Sequence, residues 1–259
     1  MVNTTQNAPD HWRSDLPVPL SNGHKYDRGH AVILGSDKYT GATRLAAEAC
    51  SRIGAGLVSV LSDVQAQTYR VTLPPDIMVS DEAPETLNRV NTLLVGPGGC
   101  SKMQALMVVA QNPDIKLVLD ADAIRLWPEL QGRDVVVTPH EGEFARYFGD
   151  LEGSAAERAA QAAERSGAVI VLKRPNTMIA APDGRVTENT TASPYLAKAG
   201  SGDVLAGLIA GLVAQGMPKH EAACAGVWIH GAASERVGPG LVPQDMFPEF
   251  RPLLRDLLF

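Results

Sequence analysis

The stretch KAGSGDVLAGLIAGL, residues 198–212, sets one carboxylate, Asp203, behind Gly200, Ser201 and Gly202 and follows it with an uncharged run. Glycines at 200 and 202 permit positive φ and close approach of the backbone to a ligand. A helix beginning near Asp203 turns its unpaired N–H groups and positive dipole end to the same place, which makes an anion hole. A carboxylate beside such a hole repels phosphate, but it is well placed to take the proton of a hydroxyl that attacks one. In that role Asp203 points to phosphoryl transfer. In the competing reading it only caps the helix, as Asp often does, while Gly207 and Gly211 allow close helix packing. The glycines fit neither a phosphate loop of the G-x-x-x-x-G-K-[ST] kind nor a dinucleotide G-x-G-x-x-G after a first strand.

Four further segments carry candidate groups: GSDKYTGA (35–42), GPGG (96–99), DADA (120–123) and TPHEGE (138–143). Asp120 closes an apolar run and suits water-mediated Mg2+ binding or orientation of a phosphate, whereas Asp122 suits a helix N-cap. TPHE reads as Thr138 at the N-cap, Pro139 at the first helical position and Glu141 at the third. His140 then falls in the first turn, where the dipole disfavours its protonation, although a plain surface histidine fits as well. Lys173, at the end of AVIVLK, is either a phosphate partner or a solvated strand-end lysine. GPGG either brings backbone to a ligand or is an ordinary turn.

A scaffold must bring these segments together. Apolar, β-rich runs (HAVILGS, GLVSVLS, TLLVG, KLVLD, DVVVT, AVIVLK, TMIAA) alternate with helical patterns over GATRLAAEACSRIGAG and near 101–111, 140–149, 154–166, 203–216, 219–236 and 245–258. Strands that are apolar throughout and separated by helices predict an α/β fold with a mostly parallel sheet covered on both faces. In such sheets ligands bind beyond the carboxyl ends of the strands, so the polar segments should converge on one crevice. Asp183-Gly184 between TMIAA and VTEN predicts a small antiparallel hairpin edge, and Ser154 with Glu157 forms a helix-starting capping box.

With 259 residues, 45% of them apolar, the chain can bury a large core. One domain over 21–259 is expected, with 1–20 as a Pro-containing tail or an arm on a neighbour. A net charge of -6 argues against a nucleic-acid partner or an anionic membrane surface. The N-terminus lacks the pattern of a secretory leader, and no apolar run is long enough to span a bilayer. Cys50, Cys100 and Cys224 read as unpaired thiols in a reducing compartment, which suggests a cytoplasmic protein.

In their order along the chain, these segments resemble the ADP/ATP-dependent NAD(P)H-hydrate dehydratases, a branch of the ribokinase-like fold. The likeness runs from about Gly23 to the C-terminus. It rests on HKYDRGH (24–30), YTGA (39–42), SRIGAGLV (51–58), GPG (96–98), DADA, TPHEGE, KRPNT (173–177) and GSGDVLAG (200–207). The resemblance implies a stand-alone domain with a three-layer α/β/α sandwich. It implies an enzyme that phosphorylates the ring hydroxyl of hydrated NADH or NADPH with ADP or ATP and then eliminates phosphate. Asp203 would be the base, with Gly200, Ser201 and Gly202 as the anion hole. Ala42, Gly98, His140 and Asp203 would bind the hydrate; Lys173, Arg174, Pro175, Asn176, Thr177 and Gly202 would bind the nucleotide. Mg2+ would accompany the nucleotide, no dedicated protein metal site is assigned, and Asp120 is at most an indirect ligand. Lys25, Arg28 and Lys38 are candidates for a substrate 2′-phosphate. A homo-oligomer such as a tetramer, and functional pairing with a separate epimerase, are further implications. Arg174 and Pro175 stand where many members have glycine and a small residue, Ala192-Ser193-Pro194-Tyr195 alters the following loop, and Leu34 replaces a usual glycine. A ribokinase-like kinase of a small alcohol, and a catalytically silent sensor of adenine nucleotide or NAD(P), are the competing readings.

Overall fold

Nine of the chain's short extended runs line up beside a two-residue strand to make a ten-stranded sheet in the computed structural model, which describes residues 2–82 and 89–259. In chain order the strands are β1 (Thr5–Gln6), β2 (His30–Leu34), β3 (Leu57–Leu61), β4 (Met78–Ser80), β5 (Thr92–Val95), β6 (Lys116–Leu119), β7 (Val135–Val137), β8 (Val169–Leu172), β9 (Thr177–Ala180) and β10 (Val186–Asn189). Across the sheet they run β1-β10-β9-β8-β7-β6-β5-β2-β3-β4. All neighbours are parallel except β8 with β9 and β9 with β10.

The helices are α1 (Thr40–Arg52), α2 (Ala66–Thr72), α3 (Lys102–Gln111), α4 (Glu141–Phe148), α5 (Ala155–Ser166), α6 (Ser201–Ala214), α7 (Lys219–Val237) and α8 (Phe247–Leu258). The two-residue period of each strand divides its side chains between two cores. Ile33, Leu94, Val118, Val136 and Val171 pack with α1, α6, α7 and α8 on one face. Leu34, Leu93, Leu119, Val137 and Leu172 pack with α3, α4 and α5 on the other. This is the three-layer α/β/α sandwich. No described helix is long and apolar enough to cross a membrane.

The N-terminal segment is not a free tail. β1 pairs in parallel with β10 and so covers the hairpin at the sheet's end. Trp12 is 1% exposed and packs on Trp228, while its indole N–H donates to Asn7 Oδ1 at 3.0 Å. The Asn7 amide donates in turn to Asn189 Oδ1 and the Cys224 carbonyl, each at 2.9 Å. The arm therefore closes on its own domain, because Trp12 and Leu16 have a core to enter. Two buried anchors among polar residues carry no helical or strand period, so the sequence reads as a tail.

Helix α6 lies tightly against α1, and glycine makes this possible. A methyl at Gly207 would fall 2.2 Å from the Ala46 carbonyl oxygen, and one at Gly211 would fall 2.3 Å from Ile53 Cγ2. Gly207→Ala is expected to lose roughly 1–3 kcal/mol of stability in denaturant unfolding, since backbone rather than a flexible side chain blocks the methyl. An unchanged midpoint would show that the helix pair has room to move apart.

Candidate active site

The carboxyl ends of β2 and β5 carry the first two loops, which are stitched together. Ser36 Oγ donates to the Gly98 carbonyl at 2.6 Å and accepts from the Lys38 and Tyr39 amides. Thr43 Oγ1 accepts from the Ser36 amide at 3.0 Å and donates to the Pro97 carbonyl at 3.1 Å. This holds Ala42, in the first turn of α1, close to Gly98, whose φ of +80° puts it in glycine's region. The sequence reading singled out neither Ser36 nor Thr43. They are separated from GPGG by more than fifty residues and show no spacing signal.

Three adjacent strands contribute the charged centre. Asp120, after β6, is 3% exposed, and its Oδ1 accepts from Thr138 Oγ1 and from Lys173 Nζ, both at 2.7 Å. Lys173 Nζ also stands 4.0 Å from Glu143 Oε2. Burial alone would lower the lysine's pKa, but Asp120, Glu143 and Asp203 outweigh it and hold the ammonium charged. Asp122 is not an N-cap: Asp120 occupies that position for the 3-10 helical segment Ala121–Leu130, without a side-chain capping bond.

Helix α4 starts two residues later than TPHE suggests. His140, not Thr138, is the N-cap. Its Nδ1 accepts from the Gly142 and Glu143 amides at 3.0 and 3.2 Å, and Glu143 Oε2 accepts from the His140 amide at 2.8 Å. The reason lies in the sheet. Lys173 N–H donates to the Pro139 carbonyl, and residue 140 bridges to 173, so the chain stays extended through the proline. Thr138 uses its hydroxyl on Asp120 instead. Because His140 accepts at Nδ1, its neutral form carries the proton on Nε2, which stands 3.4 Å from Glu143 Oε1 on a ring whose side chain is 61% exposed.

Helix α6 also begins earlier than expected. Gly200, with φ +95°, is its N-cap, which puts Asp203 at the third helical position rather than at the start. No side-chain capping bond is present there, so the capping reading of Asp203 fails. Burial first and the nearby Asp120 second push the Asp203 carboxyl up to about 7, against the pull of Lys173. A methyl at Gly202 would stand 3.5 Å from Lys173 Nζ, so ammonium and first turn share one small space.

A cleft of about 780 Å³ opens beside this turn. Residues 173–177, Ser201, Gly202 and His140 all line it. The KRPNT loop is firmly held: Arg174 pairs with Glu141, which binds Arg158 through two bonds of 2.9 Å, and the Asn176 amide donates to Glu188 Oε1 at 2.9 Å. Ala42, Gly98, Gly200 and Asp203 lie outside the cleft's lining. His230 is a lining residue that sequence reasoning missed, since a histidine in the middle of an apolar helix reads as core. Lys25 and Arg28 belong to the opposite end of the sheet, before β2, where Arg28 donates to the Gly54 carbonyl. Only Lys38 of the three lies on the loop side. Among the described residues no three His, Cys, Asp or Glu side chains converge as a metal cage.

Sheet order, helix layers and a glycine-capped helix aimed at a cleft define the ribokinase-like class. A ribokinase-like protein of Enterococcus faecalis superposes with a TM-score of 0.87 at 26% identity, over 98% of this chain and 96% of its own. The family profile described as NAD(P)H-hydrate dehydratase matches residues 30–241, and the chain belongs to that family. It is 34% identical to the ADP-dependent (S)-NAD(P)H-hydrate dehydratase of Neisseria meningitidis, over 85% of this chain and 83% of that one. The ADP/ATP-dependent NAD(P)H-hydrate dehydratase of Bacillus subtilis, co-crystallised with ATP and Mg2+, gives a TM-score of 0.84 at 29% identity over 99% and 100% of the two chains. The chain spans about half the length of the curated bifunctional NAD(P)H-hydrate repair enzymes that it also matches.

Proposed function

We propose that this protein dehydrates NADH or NADPH hydrate at the expense of ADP or ATP. The observation that carries the reading is Asp203: a half-buried carboxyl raised to about 7, free of any capping bond, in the same first helical turn as the amides of Ser201 and Gly202 and next to the Gly200 cap. Asp203 takes the proton of the ring hydroxyl as that oxygen attacks the terminal phosphorus, and the amides stabilise the charge on the transferred group. The phosphoanhydride breaks and the shortened nucleotide leaves. Hydroxide is a poor leaving group and phosphate a good one. Departure of phosphate with a proton from the neighbouring ring carbon then restores the double bond of the reduced nicotinamide.

The 780 Å³ cleft suits the nucleotide, with residues 173–177 and Gly202 on its wall. Ala42, Gly98 and the exposed ring of His140 then face the hydrate. Mg2+ would bind through the nucleotide's phosphate oxygens and water, which needs no protein cage, and it would neutralise phosphate charge. Asp120 fits a direct ligand poorly, because the Lys173 ammonium, 2.7 Å from its Oδ1, already neutralises its charge and repels a second cation.

The test is an absorbance assay with NADPH hydrate and either ADP or ATP. Recovery of reduced-nicotinamide absorbance with equimolar inorganic phosphate is expected. Accumulation of a stable phosphorylated alcohol would instead make the protein a kinase, and binding without turnover would make it a sensor.

A further inference from the structure

One wall of the large cleft holds a buried titratable group for which the proposed reaction has no use. His230, on α7, is 6% exposed and lines the cleft together with Leu205, Val227 and Gly231. Its Nε2 is buried and makes no hydrogen bond among the described residues. The Ser201 backbone carbonyl is within reach of the ring, but one carbonyl satisfies at most one N–H. A neutral imidazole offers one donor and one acceptor, so at least one ring nitrogen has no partner inside a pocket wall. Burial, with Lys173 adding to it, holds the ring's pKa down to about 4, so the ring is neutral at the pH of activity. Leaving a buried polar atom unpaired costs stability that leucine at the same place would not cost. A ligand that supplies the missing partner accounts for the histidine.

The chemistry of the wall says which part of a ligand reaches it. A polyphosphate needs cations and N–H donors, and those are at Gly200–Gly202 and Lys173. Around His230 the cleft is bounded by Leu205 and Val227, and by Ala192, Pro194 and Leu196 of the loop after β10. An apolar enclosure with a neutral hydrogen-bonding group suits the uncharged end of a nucleotide. Gly231 keeps that enclosure narrow, since a methyl there would fall 1.7 Å from the Thr191 carbonyl oxygen. We propose that His230 is a nucleoside-recognition residue, whose free ring nitrogen hydrogen-bonds the ribose or base edge of the nucleotide held in this cleft. The assignment rests on the reading of the cleft as the nucleotide site.

The test uses the full chain with its imidazoles labelled with 15N, the His230 signals being assigned by their loss in His230→Phe. Adenosine, ADP and inorganic tripolyphosphate are added separately. The His230 ring resonances are expected to shift with adenosine and with ADP, and to stay in place with tripolyphosphate. In kinetics, His230→Phe is expected to raise the KM for ADP about fivefold to tenfold, as loss of one uncharged hydrogen bond would. kcat should change little, and His230→Asn should recover part of the loss. Bound ADP that leaves the wild-type His230 signals unmoved would overturn the proposal, as would tripolyphosphate reproducing the shift. Absence of any ADP binding would remove the nucleotide reading and this one with it. If ADP moves the signals but no reduced nicotinamide forms, the dehydratase reading fails and the role of His230 stands.

Discussion

Asp203→Asn is expected to lower turnover at least ~10²-fold while the fold remains intact, because asparagine keeps the shape and removes the base. The structure sharpens this in two ways. First, a carboxyl raised to about 7 is partly protonated at neutral pH, so kcat/KM of the parent should rise with pH up to about 7 and then level off. Second, the same shift makes a stability prediction with a definite sign. Folded Asp203 holds its proton up to about 7 and unfolded Asp only to about 4, so between those values the folded state binds more protons. Stability from this group is fully present below about pH 4 and is lost as pH rises through 7. Asparagine never ionises and escapes that loss. Asp203→Asn should therefore be the more stable protein at pH 8, by up to about 4 kcal/mol, and match the parent near pH 4. Chemical denaturation at both values, alongside steady-state rates, checks this. A variant that keeps its rate, or is less stable at pH 8, would remove Asp203 from the role of base.

The sequence exposed the parts of this site that are local in the chain. Alternation of apolar strands with helices gave the parallel sheet, since burial on both faces leaves an uninterrupted apolar run such as HAVIL. Asp183-Gly184 marked the hairpin between β9 and β10 for an equally local reason. The glycines at 200 and 202 and the lysine at 173 were legible as residue types at strand ends or before an apolar helix. Long-range bonds decide the rest. Thr138 resembles a helix cap in its own neighbourhood, and only pairing of β7 with β8 keeps residues 138–140 extended and passes the cap to His140. Asp120 invited a metal, and only the fold reveals Lys173 Nζ against it from fifty-three residues away. α2 and β4 are short and partly exposed, so they carry too little period to be read. Trp12 was hidden for a different cause. One buried aromatic in a polar segment has no period at all.

The pair Asp120–Lys173 supports the second large prediction. Its two side chains are 5% and 21% exposed, and removing either partner leaves the other charge buried. Both Lys173→Met and Asp120→Asn are expected to lose about 3–5 kcal/mol in denaturant unfolding, as broken buried pairs do. Stability alone would not separate a structural pair from one that tunes the base, but the pH dependence does. Lys173 lowers the pKa of Asp203 and Asp120 raises it. In Lys173→Met, Asp203 keeps a buried carboxylate neighbour without the cation, so its proton leaves at higher pH and the acid limb of kcat/KM moves up. In Asp120→Asn the cation stays and the repelling charge goes, so the limb moves down. Two variants with similar losses of stability should thus have pH profiles displaced in opposite directions. The double variant Asp120→Asn/Lys173→Met leaves no unpaired charge from this pair, and should be less destabilised than the sum of the single changes. Its profile should lie between theirs. If both single variants shift the limb the same way, or neither shifts it, the pair serves packing alone and Asp203 owes its raised pKa to burial.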